Sequence, residues 1–350
     1  MKRKEFIQKT VTVGAGFGLL GKNAFGIPVN RNSDKILNAY YFRGHMYTLV
    51  PRHVREDMKW MADVGTNVVS VAIIEQDFFA AVENIEIICN EAAKVGMDVW
   101  GVPSRWAGLV AGAPKVPSIF TIQNDNTWKK NKDGSYASSS VSGRISSIFH
   151  PATSDFMQKS AINIFKTWDI KGLMWDEPKS LNADYHELAL KKLGPNPSKE
   201  NFIDANVEFY SNINRNIKSE FPDKQIGMFI HASKDDMTVK KCAGIEKLDV
   251  YGCDGRPWKP EDGGKQESEG KVLLGGVGQR FINAAEANNK KSLWLIENHN
   301  MADADIPILK KRLPEVIKTD VDHLIYYYYP RNLSQPDKIM NIIKQNVQLF

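Results

Sequence analysis

The sequence predicts an α/β protein in which eight strand and helix units form a single (β/α)8 barrel domain. Its 350 residues suit one large α/β barrel, and its 42% hydrophobic and 25% charged residues are typical of globular proteins. Apolar runs alternate with longer segments of helical period, which favours parallel strands connected by helices. The alternative is an open doubly wound sheet, and the absence of a glycine-rich phosphate-binding motif after the first strand weighs against it.

Eight short apolar runs are predicted as the strands of the barrel. The run at 67–74 is apolar along both faces, so it needs cover on both sides, as strands of a parallel sheet have. Gly65, Gly96 and Gly172 each precede a run or begin one, and glycine suits the left-handed end of a helix. The predicted strands are residues 36–42, 67–74, 97–102, 172–176, 225–230, 248–253, 292–297 and 323–329.

Segments with helical periodicity lie between these runs, and eight such units match the usual size of an eight-stranded barrel. The predicted helices are residues 54–64, 80–95, 155–168, 201–221, 235–247, 280–288, 305–319 and 336–347. One connection is much longer than the others: residues 104–152, after the third strand, include Trp106, Trp128 and Tyr136. A loop of this length is commonly a lid or a binding loop. The alternative is that this connection is disordered, and its tryptophans argue against that alternative.

Residues 1–26 are predicted to be an export signal, and residues 27–350 the barrel domain. The signal begins with basic residues, continues with an apolar run at 11–20 that is too short to span a bilayer, and ends in small residues. Residues 2–7, Lys-Arg-Lys-Glu-Phe-Ile, resemble the bacterial twin-arginine export signal, with lysine in place of one arginine. The protein is therefore expected in the periplasm or outside the cell.

The net charge of +5 lies mostly in this first segment, because residues 1–26 hold five basic residues and one acidic residue. The remaining chain is almost neutral, which argues against binding of nucleic acid, and no membrane role is expected after removal of the signal. Cys89, Cys242 and Cys253 lack the spacing of a metal or redox site and are predicted to be small buried residues. No cofactor is expected.

Two glutamates, Glu177 and Glu297, directly follow apolar runs, in Gly-Leu-Met-Trp-Asp-Glu-Pro and Ser-Leu-Trp-Leu-Ile-Glu-Asn. An ionised group at the end of a buried strand costs free energy unless it is paired or solvated, so such positions are frequently functional. Strands four and seven lie on opposite sides of an eight-stranded ring, so these carboxylates would face each other. A separation of about 5 to 5.5 Å would suit retaining hydrolysis of glycosides.

Further candidates end the other predicted strands, because the active sites of such barrels lie at the C-terminal ends of the strands. They are carboxylates, aromatic rings and hydrogen-bonding groups, without a nucleophilic serine or cysteine. The rings suit the apolar faces of sugars and the polar groups suit sugar hydroxyls. The candidate substrate-binding residues are Arg43, His45, Arg105, Trp106, Asp176, His231, Asp254, Arg256, Asn298, His299, Tyr327 and Tyr329.

Residues 175–178, Trp-Asp-Glu-Pro, resemble the Asn-Glu-Pro that ends strand four in clan A glycoside hydrolases, with Asp176 in place of asparagine. Residues 61–69, Met-Ala-Asp-Val-Gly-Thr-Asn-Val-Val, resemble the passage from the first helix to the second strand of that clan. The resemblance implies that Glu177 is the acid/base, that Glu297 is the nucleophile, and that the substrate is an oligo- or polysaccharide. The negative charges of Asp176 and Glu297 are expected to raise the pKa of Glu177.

Three alternatives stay open at this point. In the first, Asp176 is the nucleophile and Asp254 the acid, as in α-glycosidase barrels, which leaves Glu297 unexplained. In the second, the protein is a sugar isomerase or epimerase that depends on Mn²⁺ or Mg²⁺. The ligands would then be Glu177, His231, Asp254 and Glu297. The third is an exported barrel that binds glycans without catalysis.

Overall fold

Eight parallel strands pair in chain order and close into a barrel, which confirms the predicted fold. The computed structural model describes residues 34–41, 48–112, 114–262, 272–329 and 333–350, so the predicted export signal lies outside the described residues. Pairing of Ile36 with His323 closes the ring between the first and last strands. The strands are β1 (Ile36–Tyr41), β2 (Val68–Ile73), β3 (Asp98–Pro103), β4 (Gly172–Asp176), β5 (Gln225–His231), β6 (Val250–Gly255), β7 (Lys291–Ile296) and β8 (His323–Tyr328).

Helices connect these strands and cover the outside of the barrel. The helices are α1 (Pro51–Asp63), α2 (Val82–Lys94), α3 (Ile119–Gln123), α4 (Pro151–Thr167), α5 (Glu187–Leu193), α6 (Lys199–Glu220), α7 (Asp236–Ala243), α8 (Gln279–Glu286), α9 (Ile306–Ile317) and α10 (Pro336–Val347). Helix α4 begins earlier than predicted, because His150 Nδ1 accepts the N–H of Ala152 and proline suits the first helical position. Within the described ranges, none of the helices has the length and apolar character that crossing a membrane requires.

The interior of the barrel is filled by side chains. Gly172 faces the ring of Trp100, and a Cβ atom at Gly172 would lie 2.5 Å from that ring. At the N-terminal end of the barrel, the amide of Asn38 donates to Ser70 Oγ and to His323 Nε2, each at 2.9 Å. The apolar residues of this inner layer are Tyr40, Val68, Ala72, Trp100, Val102, Met174, Phe229, Val250, Leu293, Leu295, Ile325 and Tyr327. Because the interior is packed, an active site is expected at the C-terminal ends of the strands, where barrels of this fold have it.

The long connection after β3 is folded over its described residues, so the disordered alternative is wrong. It contains α3 and a short hairpin within residues 138–144. Glu75, just after β2, is buried and accepts hydrogen bonds from Ser118 Oγ at 2.6 Å and from the N–H groups of Phe120 at 2.7 Å and Ala107 at 3.3 Å. One carboxylate thus fixes two parts of the connection to the barrel.

The three cysteines are free and buried, as predicted. Burial raises the pKa of the Cys89 and Cys242 thiols to about 12, and Cys253 lies within β6. Because the thiolate is the reactive form of cysteine, these two thiols are poor nucleophiles and poor metal ligands at neutral pH. They contribute to the packing of residues Asp34–Phe350, which form one compact unit.

Candidate active site

Three carboxylates and a tyrosine occupy inward-facing positions at the C-terminal end of the barrel, which we call the mouth. Asp176, Asp254 and Glu297 continue the inward alternation of β4, β6 and β7, and they are 6%, 3% and 6% exposed. Burial raises the pKa of the Tyr327 hydroxyl well above its ordinary value, and the charges of the three carboxylates raise it further. The three carboxylates therefore lie near Tyr327, and each is largely shielded from water.

Asp176 ends β4, and its carboxylate is held by a tyrosine from β1. Tyr40 Oη donates to Asp176 Oδ2 at 3.1 Å. The ring of Tyr40 stacks on that of Tyr327, with centroids 5.3 Å apart and planes 16° apart. Burial, and then the charge of Glu177, raise the pKa of Asp176 to about 7 against the opposing charge of Lys179. Asp176 can therefore gain or lose a proton near neutral pH.

Glu177 lies one residue beyond β4, where the chain turns. Its φ of 36° is uncommon for a residue other than glycine, and such backbone strain is frequent at functional sites. Its N–H donates to the carbonyl of Phe229 at 3.0 Å, and Lys179 Nζ lies 2.7 Å from its Oε2. A cation therefore acts on Glu177 in addition to the negative charge of Asp176.

Glu297 follows β7 and lies beside a side chain that supports the end of β8. The N–H of Glu297 donates to the carbonyl of Gly255 at 2.8 Å. The next residue, Asn298, is fully buried: its Nδ2 donates to the carbonyl of Tyr327 at 3.0 Å, and its Oδ1 accepts the N–H of Tyr327 at 2.8 Å. Asn298 thus fixes the backbone of Tyr327, whereas the sequence suggested a contact with substrate.

Two of the predicted histidines reach the mouth. His231 ends β5 in register with Asp254, and its Nδ1 accepts the N–H of Ser233 at 3.2 Å. This hydrogen bond assigns the proton of the neutral ring to Nε2. The ring of His299 packs against that of Tyr327, with centroids 4.5 Å apart and planes at 65°. Both rings are placed to contact a ligand in the mouth.

The two arginines of the described mouth lie in different surroundings. Arg105 has a positive φ of 62°, donates to the carbonyl of Gly112 at 2.6 Å, and places a positive charge near Asp176. Arg256 is 6% exposed, and its Nη2 lies 3.5 Å from the carbonyl of Asn300. Its Nη1 finds no hydrogen-bond partner among the described residues. Its guanidinium group also lies over the ring of Trp258, 5.3 Å from the ring centroid.

Two predicted aromatic contacts are directed elsewhere. Trp106 is fully buried, and its ring packs against Phe78 and Phe156 with centroid distances of 5.8 and 6.3 Å. Tyr329 lies just beyond β8 with a φ of 45°, and its hydroxyl donates to Asp337 of α10 at 2.7 Å. Neither ring is therefore available at the mouth as a surface for a sugar. The ring of Trp106 lies in the core, and the hydroxyl of Tyr329 is bound to α10.

Tyr40 and Lys179 belong to the mouth although no sequence pattern predicted them. The inward alternation of β1, which passes through Asn38, would have indicated Tyr40 if its register had been known. Lys179 begins a short 3-10 turn after β4, for which no such signal was present in the sequence. The predicted Arg43 and His45 lie outside the described residues.

The arrangement suits chemistry by carboxylates. Buried carboxylates at such a position can supply an acid, a base or a nucleophile. Within the described ranges, no three His, Cys, Asp or Glu side chains are grouped so that they could hold a metal ion. The isomerase alternative would need Glu177, His231, Asp254 and Glu297 as metal ligands. Among the described residues, these four side chains do not form such a group.

Known proteins resemble this chain in fold and not in sequence. No family model matches it, and no curated protein does. The β-galactosidase of Rahnella sp. R3 matches with a TM-score of 0.64 and 12% identity over 91% of this chain and 56% of that chain. The β-galactosidase of the psychrophilic Marinomonas ef1 matches with a TM-score of 0.61 and 12% identity over 89% and 59%. The catalytic domain of the β-amylase of Paenibacillus polymyxa matches with a TM-score of 0.59 and 9% identity over 90% and 98%.

These matches concern the closed eight-stranded barrel. The chain spans less than two thirds of the length of the two β-galactosidases and almost the whole of the β-amylase domain. At such low identities a shared fold carries no residue roles, because one barrel fold supports many chemistries. The three neighbours named here are glycoside hydrolases, and what they share with this chain is the fold.

Proposed function

We propose that the protein is an exported glycoside hydrolase of the retaining type, which acts on an oligo- or polysaccharide in the periplasm or outside the cell. The observation that carries this proposal is the presence of three buried carboxylates near Tyr327, at the end of the barrel where such folds have their active sites. The fold neighbours, which are glycoside hydrolases, support the same class of reaction. The basic and apolar segment at residues 1–26 supports export.

In the proposed mechanism, Glu177 is the acid/base and Glu297 the nucleophile. Glu177 donates its proton to the leaving oxygen while Glu297 attacks the anomeric carbon and forms a glycosyl–enzyme bond. Water then breaks this bond, with Glu177 as the base that takes its proton. Lys179, 2.7 Å from Glu177, stabilises the carboxylate that Glu177 becomes after donation. Asp176 and Asp254 line the same mouth and accept hydrogen bonds from sugar hydroxyls.

Amide substitutions of the carboxylates test these roles, because they keep the size of each side chain. We expect Glu177→Gln and Glu297→Gln to lower kcat by roughly 10²-fold to 10⁴-fold on aryl glycosides and polysaccharides, with unchanged folding. The loss in Glu177→Gln should be smaller for substrates with good leaving groups, because these need little help from an acid. Product analysis by NMR should show retention at the anomeric carbon. Glu286→Gln, at an exposed position of α8, is the matched control and should keep full activity.

The same set of variants discriminates the alternatives. If Asp176→Asn and Asp254→Asn were inactive while both glutamine variants kept their activity, the roles would move to the aspartates. If the wild-type protein bound glycans but hydrolysed none of a broad panel, the non-catalytic alternative would replace the hydrolase. Inversion at the anomeric carbon would contradict the retaining mechanism and leave hydrolysis in place.

A further inference from the structure

Tyr40 and Tyr41 are neighbours in β1, and each donates a hydrogen bond to a buried aspartate on a different face of the strand. Tyr40 faces the interior, and its Oη lies 3.1 Å from Asp176 Oδ2. Tyr41 faces the helices, and its Oη lies 2.7 Å from Asp57 Oδ2. Asp57 also accepts a hydrogen bond from Tyr328 Oη at 2.9 Å. The strand thus offers one tyrosine at the mouth and a similar one in the outer core.

The ring of Tyr40 has little freedom to move. It is 2% exposed, it pairs in register with Tyr327 of β8, and it stacks on the ring of that residue. Its hydroxyl is therefore directed at one oxygen of Asp176. The backbone of Asp176 is also held, because its carbonyl accepts the N–H of Ala111 at 2.8 Å. Together these contacts define the orientation of the Asp176 carboxylate beside Glu177.

We propose that Tyr40 is a positioning residue of the mouth, whose hydroxyl orients Asp176 and favours its ionised form. The catalytic meaning of this inference rests on the proposed glycosidase function. An ionised Asp176 next to Glu177 favours the protonated acid that donation to the leaving group requires, since adjacent negative charges repel. The charged or titratable groups that act on Asp176 or lie against Tyr40 include Glu177, Lys179, Arg105 and Tyr327.

Removal of the hydroxyl tests the inference without any substrate. Infrared difference spectra of the full chain, recorded across pH, follow the C=O band of a protonated carboxyl group, and Asp176→Asn identifies the band of Asp176. Because a hydroxyl donor stabilises a carboxylate, Tyr40→Phe should move the titration midpoint of Asp176 upward by roughly half to one pH unit. Tyr41→Phe removes a hydrogen bond of the same kind from the same strand and should leave that midpoint unchanged.

The activity assay gives an independent readout. In Tyr40→Phe, the pH profile of kcat/KM should shift in the same direction as the infrared midpoint, and in the Asp176→Asn background the same substitution should cause no shift. A shift of the infrared midpoint without hydrolysis of any glycoside would uphold the inference and contradict the proposed function. Hydrolysis with equal midpoints in Tyr40→Phe and the wild-type protein would contradict the inference and leave the function in place.

A second variant covers the case in which Tyr40→Phe does not fold. Site-specific replacement of Tyr40 by 3-fluorotyrosine keeps the ring and the stack on Tyr327, and it makes the hydroxyl a stronger donor. The titration midpoint of Asp176 should then move downward. An unchanged or raised midpoint would overturn the inference.

Discussion

The side-chain amide of Asn298 forms two hydrogen bonds with the backbone of a single residue, Tyr327, in the neighbouring strand. The distances are 3.0 Å to the carbonyl and 2.8 Å from the N–H group. The bonds join the loop after β7 to the end of β8, next to Glu297 on one side and His299 on the other. The position of the Tyr327 ring near the carboxylates therefore depends on Asn298, whose side chain holds the backbone of Tyr327 in place.

Loss of this amide should destabilise the protein. Asn298→Ala leaves the N–H and carbonyl of Tyr327 without these partners in a buried place, so we expect the free energy of unfolding to fall by about 2 to 3 kcal/mol. Urea denaturation, monitored by far-UV circular dichroism, measures this free energy of unfolding. Asn288→Ala removes an amide that bonds the carbonyl of Ala284 at an exposed helix end, and it should cost much less. Equal losses in both variants would contradict the role of Asn298.

Substitution of Glu75 should loosen the long connection after β3. Glu75→Ala removes the acceptor for Ser118, Phe120 and Ala107, so we expect faster proteolytic cleavage within residues 104–150 while the barrel stays folded. Limited proteolysis with mass spectrometry locates the cuts. Glu86→Ala, at an exposed position of α2, is the control. Unchanged cleavage in Glu75→Ala would show that the aromatic packing alone holds the connection.

His323 should make the protein sensitive to acid. Burial lowers the pKa of His323 to about 3, whereas an unfolded histidine titrates near 6.5. Between these values the unfolded state binds the additional proton, so His323 lowers stability as the pH falls from 6.5 towards 3. The loss should reach about 3 kcal/mol at pH 4. His323→Phe should flatten this part of the curve of unfolding free energy against pH and run parallel to the wild-type curve above pH 7. Parallel curves throughout would contradict the prediction.

Two glycines inside the barrel should differ in their tolerance of alanine. At Gly172 a Cβ would lie 2.5 Å from the rigid ring of Trp100, whereas at Gly227 it would lie 2.6 Å from the end of the flexible Met174 side chain. We expect Gly172→Ala to cost about 1 to 3 kcal/mol and Gly227→Ala clearly less, because methionine can change its rotamer. Thermal denaturation of the two variants side by side measures the difference. A larger loss at Gly227 would contradict this explanation.

The strands could be predicted closely because each is a short apolar run between helical segments. All eight lie within two residues of their predicted bounds. The differences have local causes. Strand β8 ends at Tyr328 because Tyr329 has a positive φ, and α4 begins at Pro151 because His150 provides its cap. Such ends depend on side-chain hydrogen bonds and single dihedral angles, which hydrophobic periodicity does not report.

The sequence indicated where on the barrel the candidate site lies, but it indicated the orientation of the individual side chains only in part. The C-terminal ends of the strands indicated Asp176, Asp254 and Glu297, and the structure brings these together around Tyr327. Whether an aromatic side chain faces a ligand or the core depends on the register and on the path of a loop. For that reason Trp106 looked like a sugar platform in the sequence, although it is fully buried.

The pairing of β1 with β8 has a consequence for how the chain folds. The hydrogen bond from Asn38 to His323 joins residues 285 positions apart. Until the last strand is available, β1 has one unpaired edge, and such edges promote aggregation. Contacts of this range raise the contact order and slow folding. Completion of the barrel, and with it the stacking of Tyr40 on Tyr327, must therefore wait until β8 has been synthesised, so the mouth forms later in a nascent chain than the first seven strands do.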